Sequence, residues 1–208
     1  MTTLDEAQQP PAKRNNKPLI AILLISIFPI LAAYTMFFTG VGIPADTKNK
    51  GYLITPAVNV SALLEGDNAS VLNDWQTHKK WRLLIPVQVP CNQACQDDLY
   101  TSRQVHIRLG EKSTRVQRIA VSLNGAQSDQ YIADIAKDHP QLKNISVDQN
   151  DWNAWLAQTN LPAELDAEHF YILVDQEGYA MMWYTPAIHG NDLLKDLKHA
   201  LKFSIDYE

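Results

Sequence analysis

The two cysteines of this chain, Cys91 and Cys95, are four positions apart and form its strongest candidate for a reactive pair. They stand in the segment PCNQAC, residues 90–95, where a predicted strand is followed by a predicted helix. A helix N-terminus carries a partial positive charge, which favours a thiolate over a thiol. Two thiolates one helical turn apart can close a disulfide or offer two soft ligands to copper(I). We therefore interpret the pair as a redox or metal-binding site; a structural disulfide and two inert buried thiols are the alternatives.

Composition limits the other classes of protein to which the chain could belong. Its 208 residues leave room for one domain and an appendage. With 18 basic and 23 acidic residues, it lacks the basic balance of a nucleic-acid-binding protein, and we expect no nucleic-acid partner. Two cysteines are too few for a disulfide framework. The acidic residues are scattered, and no pair of them has a spacing that indicates acid–base catalysis.

The elements that must position the cysteine pair alternate regularly from Lys80 onward. Trp81–Val89 is a nearly continuous apolar run, which is typical of a strand buried on both faces. Asn92–Leu109 is predicted as a helix that Gly110 ends. The later predicted elements are strand Val116–Leu123, helix Ser128–Lys137, strand Leu142–Val147, helix Asp151–Gln158, strands Phe170–Asp175 and Tyr179–Tyr184, and helix Asp192–Phe203 with Asn191 as its cap.

This order, β-α-β-α-β-α-β-β-α, predicts an α/β fold. Strands joined through helices require a parallel, right-handed and buried arrangement. The turn that ends in Gly178 makes the last two strands an antiparallel hairpin. We expect a central mixed sheet flanked by helices, a layout similar to the thioredoxin fold. The cysteine pair would then lie at the carboxyl edge of the sheet, where α/β folds bind ligands.

A transmembrane helix is predicted before this domain. No charged residue lies between Lys17 and Asp46, and Leu19–Thr39 is almost entirely apolar, as a membrane-spanning helix requires. Basic residues precede the run and the first later charge is acidic, so we expect the N-terminus in the cytoplasm. The alternative is a cleaved signal peptide, with a shorter apolar core that ends near Ala32-Ala33. The predicted organisation is a cytoplasmic tail at 1–18, a transmembrane helix in the lipid at 19–40, an exported tether at 41–79 and the thioredoxin-like domain at 80–208.

The apolar helix, the element order and the CxxxC pair at the first strand–helix junction together resemble the SCO/SenC family, over roughly residues 80–203. Members of that family are membrane-anchored, copper-binding assembly factors for cytochrome c oxidase. The resemblance implies that Cys91 and Cys95 bind copper together with a distant histidine. The histidine at the matching place, directly before the predicted hairpin, is His169. Asn92 and Gln96 stand where the family often has proline.

The resemblance also implies a partner, the cytochrome c oxidase subunit that carries the copper centre. It implies a bacterial inner-membrane protein with its C-terminal domain in the periplasm. There the cysteines would either hold copper or reduce the cysteines of the partner through a mixed disulfide. This favours a metallochaperone or assembly factor over an enzyme. A thiol–disulfide oxidoreductase with broader substrates in the cell envelope, and a non-catalytic interaction module of a respiratory complex, are the alternatives.

Overall fold

The computed structural model describes residues 16–41, 48–163, 169–188 and 190–207, and only the backbone of Asp67. The chain divides into two compact units, Met1–Thr47 and Lys48–Glu208. Of the predicted cytoplasmic tail, residues 1–15 lie outside the described part of the chain.

In the first unit, helix α1 spans Lys17–Thr39 and matches the predicted apolar helix. Its 23 residues give a length of about 35 Å, more than the ~30 Å of a bilayer's hydrocarbon core. Its most apolar window has a mean hydropathy of 2.4. The hydroxyls of Ser26 and Thr35 donate to carbonyl oxygens within the helix, at 3.0 and 2.8 Å. These polar groups therefore need no water, and α1 is long and apolar enough to cross a membrane.

The second unit is built on one mixed sheet of six strands in the order β1-β6-β5-β2-β3-β4. The strands are β1 Tyr52–Asn59, β2 Trp81–Val87, β3 Val116–Ser122, β4 Leu142–Ser146, β5 Tyr171–Val174 and β6 Tyr179–Tyr184. The helices are α2 Ala69–Thr77, α3 Gln93–Arg108, α4 Ala126–Asp134, α5 Gln149–Leu156 and α6 Gly190–Phe203. Strands β2, β3 and β4 are parallel, and the β2–β5, β5–β6 and β6–β1 pairs are antiparallel. This is the predicted thioredoxin-like α/β fold.

The sheet is buried on both faces because neighbouring residues of a strand point in opposite directions. Leu83 of β2 faces a core to which α3 and α6 contribute. Leu84, the next residue, faces a second core with Trp75 of α2 and Trp152 of α5. The two-sided burial explains why β2 is a nearly continuous apolar run rather than an alternating one.

The predicted tether at residues 41–79 requires correction. Residues 42–47 lie outside the described part of the chain, and from Lys48 onward the chain belongs to the folded unit. Tyr52–Asn59 forms the edge strand β1, which pairs with β6, and Ala69–Thr77 forms α2. Pro56 lies within β1, and an edge strand tolerates proline because only one of its sides is hydrogen-bonded. The folded unit thus begins at Lys48 and not at Lys80.

Two helix starts also differ from the sequence-based expectation. Helix α4 begins at Ala126, with Gly125 as the N-cap, so Ser128 lies in its first turn. The Ser128 hydroxyl oxygen accepts a hydrogen bond from the Asn124 backbone N–H at 3.2 Å. Helix α6 begins at Gly190, so Asn191 is inside the helix. A single sequence places helix ends only to within a few residues, because several polar residues near an end can serve as the cap.

Arg82 attaches α2 to the sheet. It is fully buried within the apolar run of β2, and its guanidinium lies 4.2 Å from the centroid of the Trp75 ring. The guanidinium donates hydrogen bonds to the carbonyl oxygens of Lys80 and His78, at 2.8 and 2.6 Å. Burial lowers the pKa of Arg82 to about 10. Main-chain oxygens at the end of α2 thus replace the water molecules that would solvate an exposed guanidinium.

Asp196 of α6 fastens the first residues of the folded unit. Its Oδ2 accepts the backbone N–H groups of Lys50 and Gly51, each at 2.9 Å, and the Tyr184 hydroxyl at 3.0 Å. Burial, together with this carboxylate, raises the pKa of the Tyr184 hydroxyl. A Cβ atom on Gly51 would lie 2.5 Å from Cζ of the Tyr184 ring. The close approach of the chain to this ring therefore requires a glycine.

We expect Gly51→Ala to lower the free energy of unfolding by about 1–3 kcal/mol, because the added methyl group must displace a buried ring. The measurement is thermal unfolding of the full chain in detergent, in which Tm should fall by several degrees. Ser70→Ala, at an exposed position of α2, is the control and should unfold like wild type. An unchanged Tm for Gly51→Ala would contradict the close approach.

Candidate functional site

Cys91 and Cys95 are joined by a disulfide, with an S–S distance of 1.96 Å and Cα atoms 5.4 Å apart. The bond lies beyond the carboxyl end of β2, and Cys95 is in the first turn of α3. The pair therefore stands at the predicted junction of buried strand and helix. The bond excludes the interpretation of two inert thiols; a redox pair and a structural disulfide remain.

Asn92 starts helix α3 between the two cysteines. Its backbone is extended, and its side-chain oxygen accepts the backbone N–H of Cys95 at 3.0 Å, as an N-cap residue does. The Gln96 side chain donates to the carbonyl oxygen of Cys91 at 3.0 Å. Both cysteine backbones are thus held by side chains of the same turn. The two departures from the family pattern, Asn92 and Gln96, make these contacts.

The two sulfurs differ in their access to solvent. Cys95 is only 2% exposed and belongs to the core that contains Val87 and Leu99. Cys91 is partly exposed and packs against the edge of that core. Thiol–disulfide exchange requires a line of approach to one sulfur. Of the two cysteines, Cys91 is therefore the one that a partner could approach from solvent.

His169 lies directly before β5, as predicted, but both of its ring nitrogens have protein partners. Nδ1 is 2.5 Å from Oδ2 of Asp98, and Nε2 is 3.0 Å from the carbonyl oxygen of Pro86. His169 is 8% exposed and Asp98 is 1% exposed. Burial raises the pKa of Asp98, and its hydrogen bond with His169 opposes that effect.

Asp98 was missed by the sequence analysis. It lies three residues after Cys95 on α3, about 4.5 Å along the helix axis, so it belongs to the same buried side of the helix. Its position one turn after Cys95 on the predicted helix was the available signal, because a carboxylate facing a core needs a partner there. The sequence does not say which residue that partner is, since His169 follows 71 residues later.

The described residues do not form the Cys₂His copper site that the resemblance implies. The two sulfurs are bonded to each other, and the nitrogens of His169 are both engaged. Within the described ranges, no group of three or more His, Cys, Asp or Glu side chains is arranged to hold a metal ion. The arrangement is suited to disulfide chemistry rather than to three-ligand metal binding.

His106 also lies on α3, on the inward stripe with Cys95. Its Nε2 is 2.9 Å from the carbonyl oxygen of Val116 at the start of β3, and the side chain is buried. The histidine therefore joins α3 to the sheet at the end remote from the disulfide.

We expect Asn92→Ala to lower the free energy of unfolding by about 1 kcal/mol, because the Cys95 N–H loses its cap. The measurement is urea unfolding of the full chain with the disulfide intact. Asn92→Ser, which keeps a capping oxygen, should stay close to wild type. The cap would be unimportant if Asn92→Ala and wild type unfolded at the same urea concentration.

Solved structures of Sco proteins are similar to the folded unit of this chain. Yeast Sco1 with copper bound has a TM-score of 0.50 and 15% identity, with 62% of this chain and 82% of that chain covered. A second structure of yeast Sco1 has a TM-score of 0.50 and 16% identity, with 61% of this chain and 83% of that chain covered. BsSco has a TM-score of 0.50 and 13% identity, with 77% of this chain and 100% of that chain covered. It is described as a member of the Sco family of cytochrome c oxidase assembly proteins and as having a disulfide switch. The predicted resemblance to SCO/SenC proteins is therefore confirmed in the fold.

The amino-acid sequence itself gives a family match over most of the folded unit. No curated protein matches the sequence. A family model described as the transmembrane-like, thioredoxin-like C-terminal domain matches residues 81–204, from the start of β2 to just after α6. The match covers more than half of the chain and includes the cysteine pair. This protein therefore belongs to the family of transmembrane-like, thioredoxin-like C-terminal domains.

Proposed function

We propose that this protein is a membrane-anchored thiol–disulfide exchange factor that acts through Cys91 and Cys95. The observation that carries the proposal is the disulfide at the N-terminus of α3, with one accessible and one buried sulfur. A bridge over so short a segment adds little stability through chain entropy, which argues against a purely structural role. The helix N-terminus favours the thiolate that exchange requires.

The proposed exchange reduces a disulfide of the partner and oxidises the cysteine pair of this protein. In the reduced protein, the Cys91 thiolate attacks one sulfur of a partner disulfide, and the other partner sulfur leaves as a thiolate. The thiolate of Cys95 then attacks the Cys91 sulfur, which releases the second partner cysteine and forms the bond seen here. Two electrons pass from the protein to the partner disulfide. A dithiol reductant in the same compartment returns the pair to the reduced state.

The partner proposed is the cytochrome c oxidase subunit that carries the copper centre. The resemblance to SCO/SenC proteins supports it, as does the likeness in fold to BsSco, which is described as belonging to oxidase assembly proteins. Cysteines bind copper as thiolates, so an oxidised cysteine pair in such a centre must be reduced before metallation. Reduction of that pair is the step that we assign to this protein.

Copper binding would use the same two sulfurs. It requires the disulfide to be reduced, and His169 to exchange its present partners for the metal. Yeast Sco1 has been described with copper bound, but its likeness to this chain is one of fold. The contacts of this site favour thiol–disulfide exchange, and no step of the proposed reaction passes through copper.

The location proposed is the bacterial inner membrane, with α1 as a single span. The length and hydropathy of α1 support a span. Lys13 and Arg14 precede it and Lys17 is its first residue, whereas Asp46 is the first charge after it. The distribution of basic residues therefore favours a cytoplasmic N-terminus and a periplasmic folded unit.

Cys95→Ser should trap the partner as a mixed disulfide with Cys91, because the resolving sulfur is gone. Cys91→Ser is the matched control and should trap far less, since Cys95 is buried. Non-reducing electrophoresis of membranes followed by mass spectrometry measures the adduct, and we expect the copper-centre subunit of the oxidase. Equal trapping by both variants, or none, would contradict the proposed exchange. Several unrelated adducts would indicate the broader oxidoreductase.

The intact chain should remain in membranes washed with alkaline carbonate, because α1 is a hydrophobic span. Its mass should include residues 1–40. A variant that lacks residues 1–40 is the control and should appear in the wash. A wild-type chain that starts near residue 34 and is released by the wash would instead show a cleaved signal peptide.

A further inference from the structure

His169 is held between two oxygen atoms from different parts of the fold. Pro86, in β2, provides a carbonyl oxygen at 3.0 Å from Nε2. Asp98, on α3, provides Oδ2 at 2.5 Å from Nδ1. We call these two oxygens the two-acceptor clamp. Both oxygens belong to residues near the cysteines in sequence, since Pro86 is the second-last residue of β2 and Asp98 follows Cys95 by about one turn of α3.

The clamp determines where the protons of the imidazole ring are. A backbone carbonyl can only accept, so Nε2 must donate to Pro86 and carries a hydrogen. At the other nitrogen, one proton lies between Nδ1 and Oδ2: either the ring donates it to a carboxylate, or a carboxylic acid donates it to the ring. In both cases each nitrogen lone pair is occupied. A metal ion needs a free imidazole lone pair, and this ring offers none.

The surroundings hold the ring in place. Phe170 and Tyr171, the next two residues, are 0% and 1% exposed, and Pro86 is paired within the sheet opposite Val121. Rotation of His169 towards the sulfurs would leave the Asp98 carboxyl group and the Pro86 carbonyl without their partner in a buried region. Unpaired buried polar groups are costly, so the clamp resists that rotation.

We infer that the two-acceptor clamp withholds His169 from copper, and that Asp98 is therefore the residue that makes this a two-sulfur site. The inference rests on the proposed function, because it states why the same cysteine pair selects protein thiols and disulfides over a three-ligand metal ion. Asp98 acts through His169, with which its carboxyl group shares a hydrogen bond. It is a positioning residue that determines specificity.

The test is the copper(I) affinity of the reduced full chain in detergent, measured without oxygen by competition with a chromogenic copper(I) chelator. His169→Ala should bind copper(I) within twofold of wild type, because the clamped ring contributes no ligand. His199→Ala, at an exposed histidine of α6, is the matched control. A tenfold or greater loss of affinity in His169→Ala alone would overturn the inference.

Asp98→Ala tests the clamp from its other side. Release of Nδ1 should raise the copper(I) affinity at least tenfold, and Asp98→Ala/His169→Ala should lose that gain. A folded Asp98→Ala protein with wild-type affinity would show that Asp98 is not what withholds the histidine. Since loss of a buried carboxylate could prevent folding, a second measurement uses wild type: nitrogen NMR of the His169 ring should show a protonated Nε2 at neutral pH. An unprotonated Nε2 would overturn the inference.

The same samples separate this inference from the proposed function. Thiol–disulfide exchange of wild type with glutathione measures the proposed function and does not involve His169 as a ligand. A chain that fails to exchange while His169→Ala retains wild-type copper(I) affinity would contradict the proposed function and support the clamp. If wild type exchanges with glutathione but His169→Ala loses copper(I) affinity tenfold, the proposed function is supported and the clamp is contradicted.

Discussion

The central position of β2 in the sheet is the constraint on which the rest of the structure depends. It is hydrogen-bonded to β3 on one side and to β5 on the other, and its side chains enter both cores. Because the strand is fixed on all sides, its carboxyl end is a rigid support for the disulfide. The same strand provides Arg82, which attaches α2, and the carbonyl of Pro86, which holds His169.

Buried polar side chains connect the helices to this strand and its neighbour. Arg118 of β3 is 2% exposed and donates to the Leu99 carbonyl and the Ser102 hydroxyl of α3, at 2.9 and 3.1 Å. Burial lowers the pKa of Arg118 to about 10. Asp98 makes a second connection one residue before Leu99, through His169. A buried polar group without a partner is costly, so these contacts specify the orientation of α3 on the sheet in addition to attaching it.

The chemistry of the site follows from this support. The fixed junction leaves Cys91 partly exposed and keeps Cys95 in the core, so the two cysteines differ in their access to solvent. The clamp places the third predicted ligand in a hydrogen-bonded position within the fold. A thioredoxin-like scaffold that also accommodates copper in yeast Sco1 is therefore arranged here around its disulfide. Fold likeness and site chemistry are separate questions, and the second depends on a few side chains.

The apolar helix, the element order after Lys80 and the location of the cysteine pair could all be predicted from the amino-acid sequence. These follow from local patterns: apolar run length, hydrophobic periodicity and a strand–helix junction. The sequence placed His169 correctly before β5 but gave no sign of its partners, Asp98 and the Pro86 carbonyl, and it treated β1 and α2 as a tether. These points became visible only in the folded chain. The partner of a buried group and the pairing of an edge strand depend on residues distant in sequence, such as Asp98 with His169 and β1 with β6. Contacts of that kind leave no local pattern, because each is formed only once the chain has folded around β2.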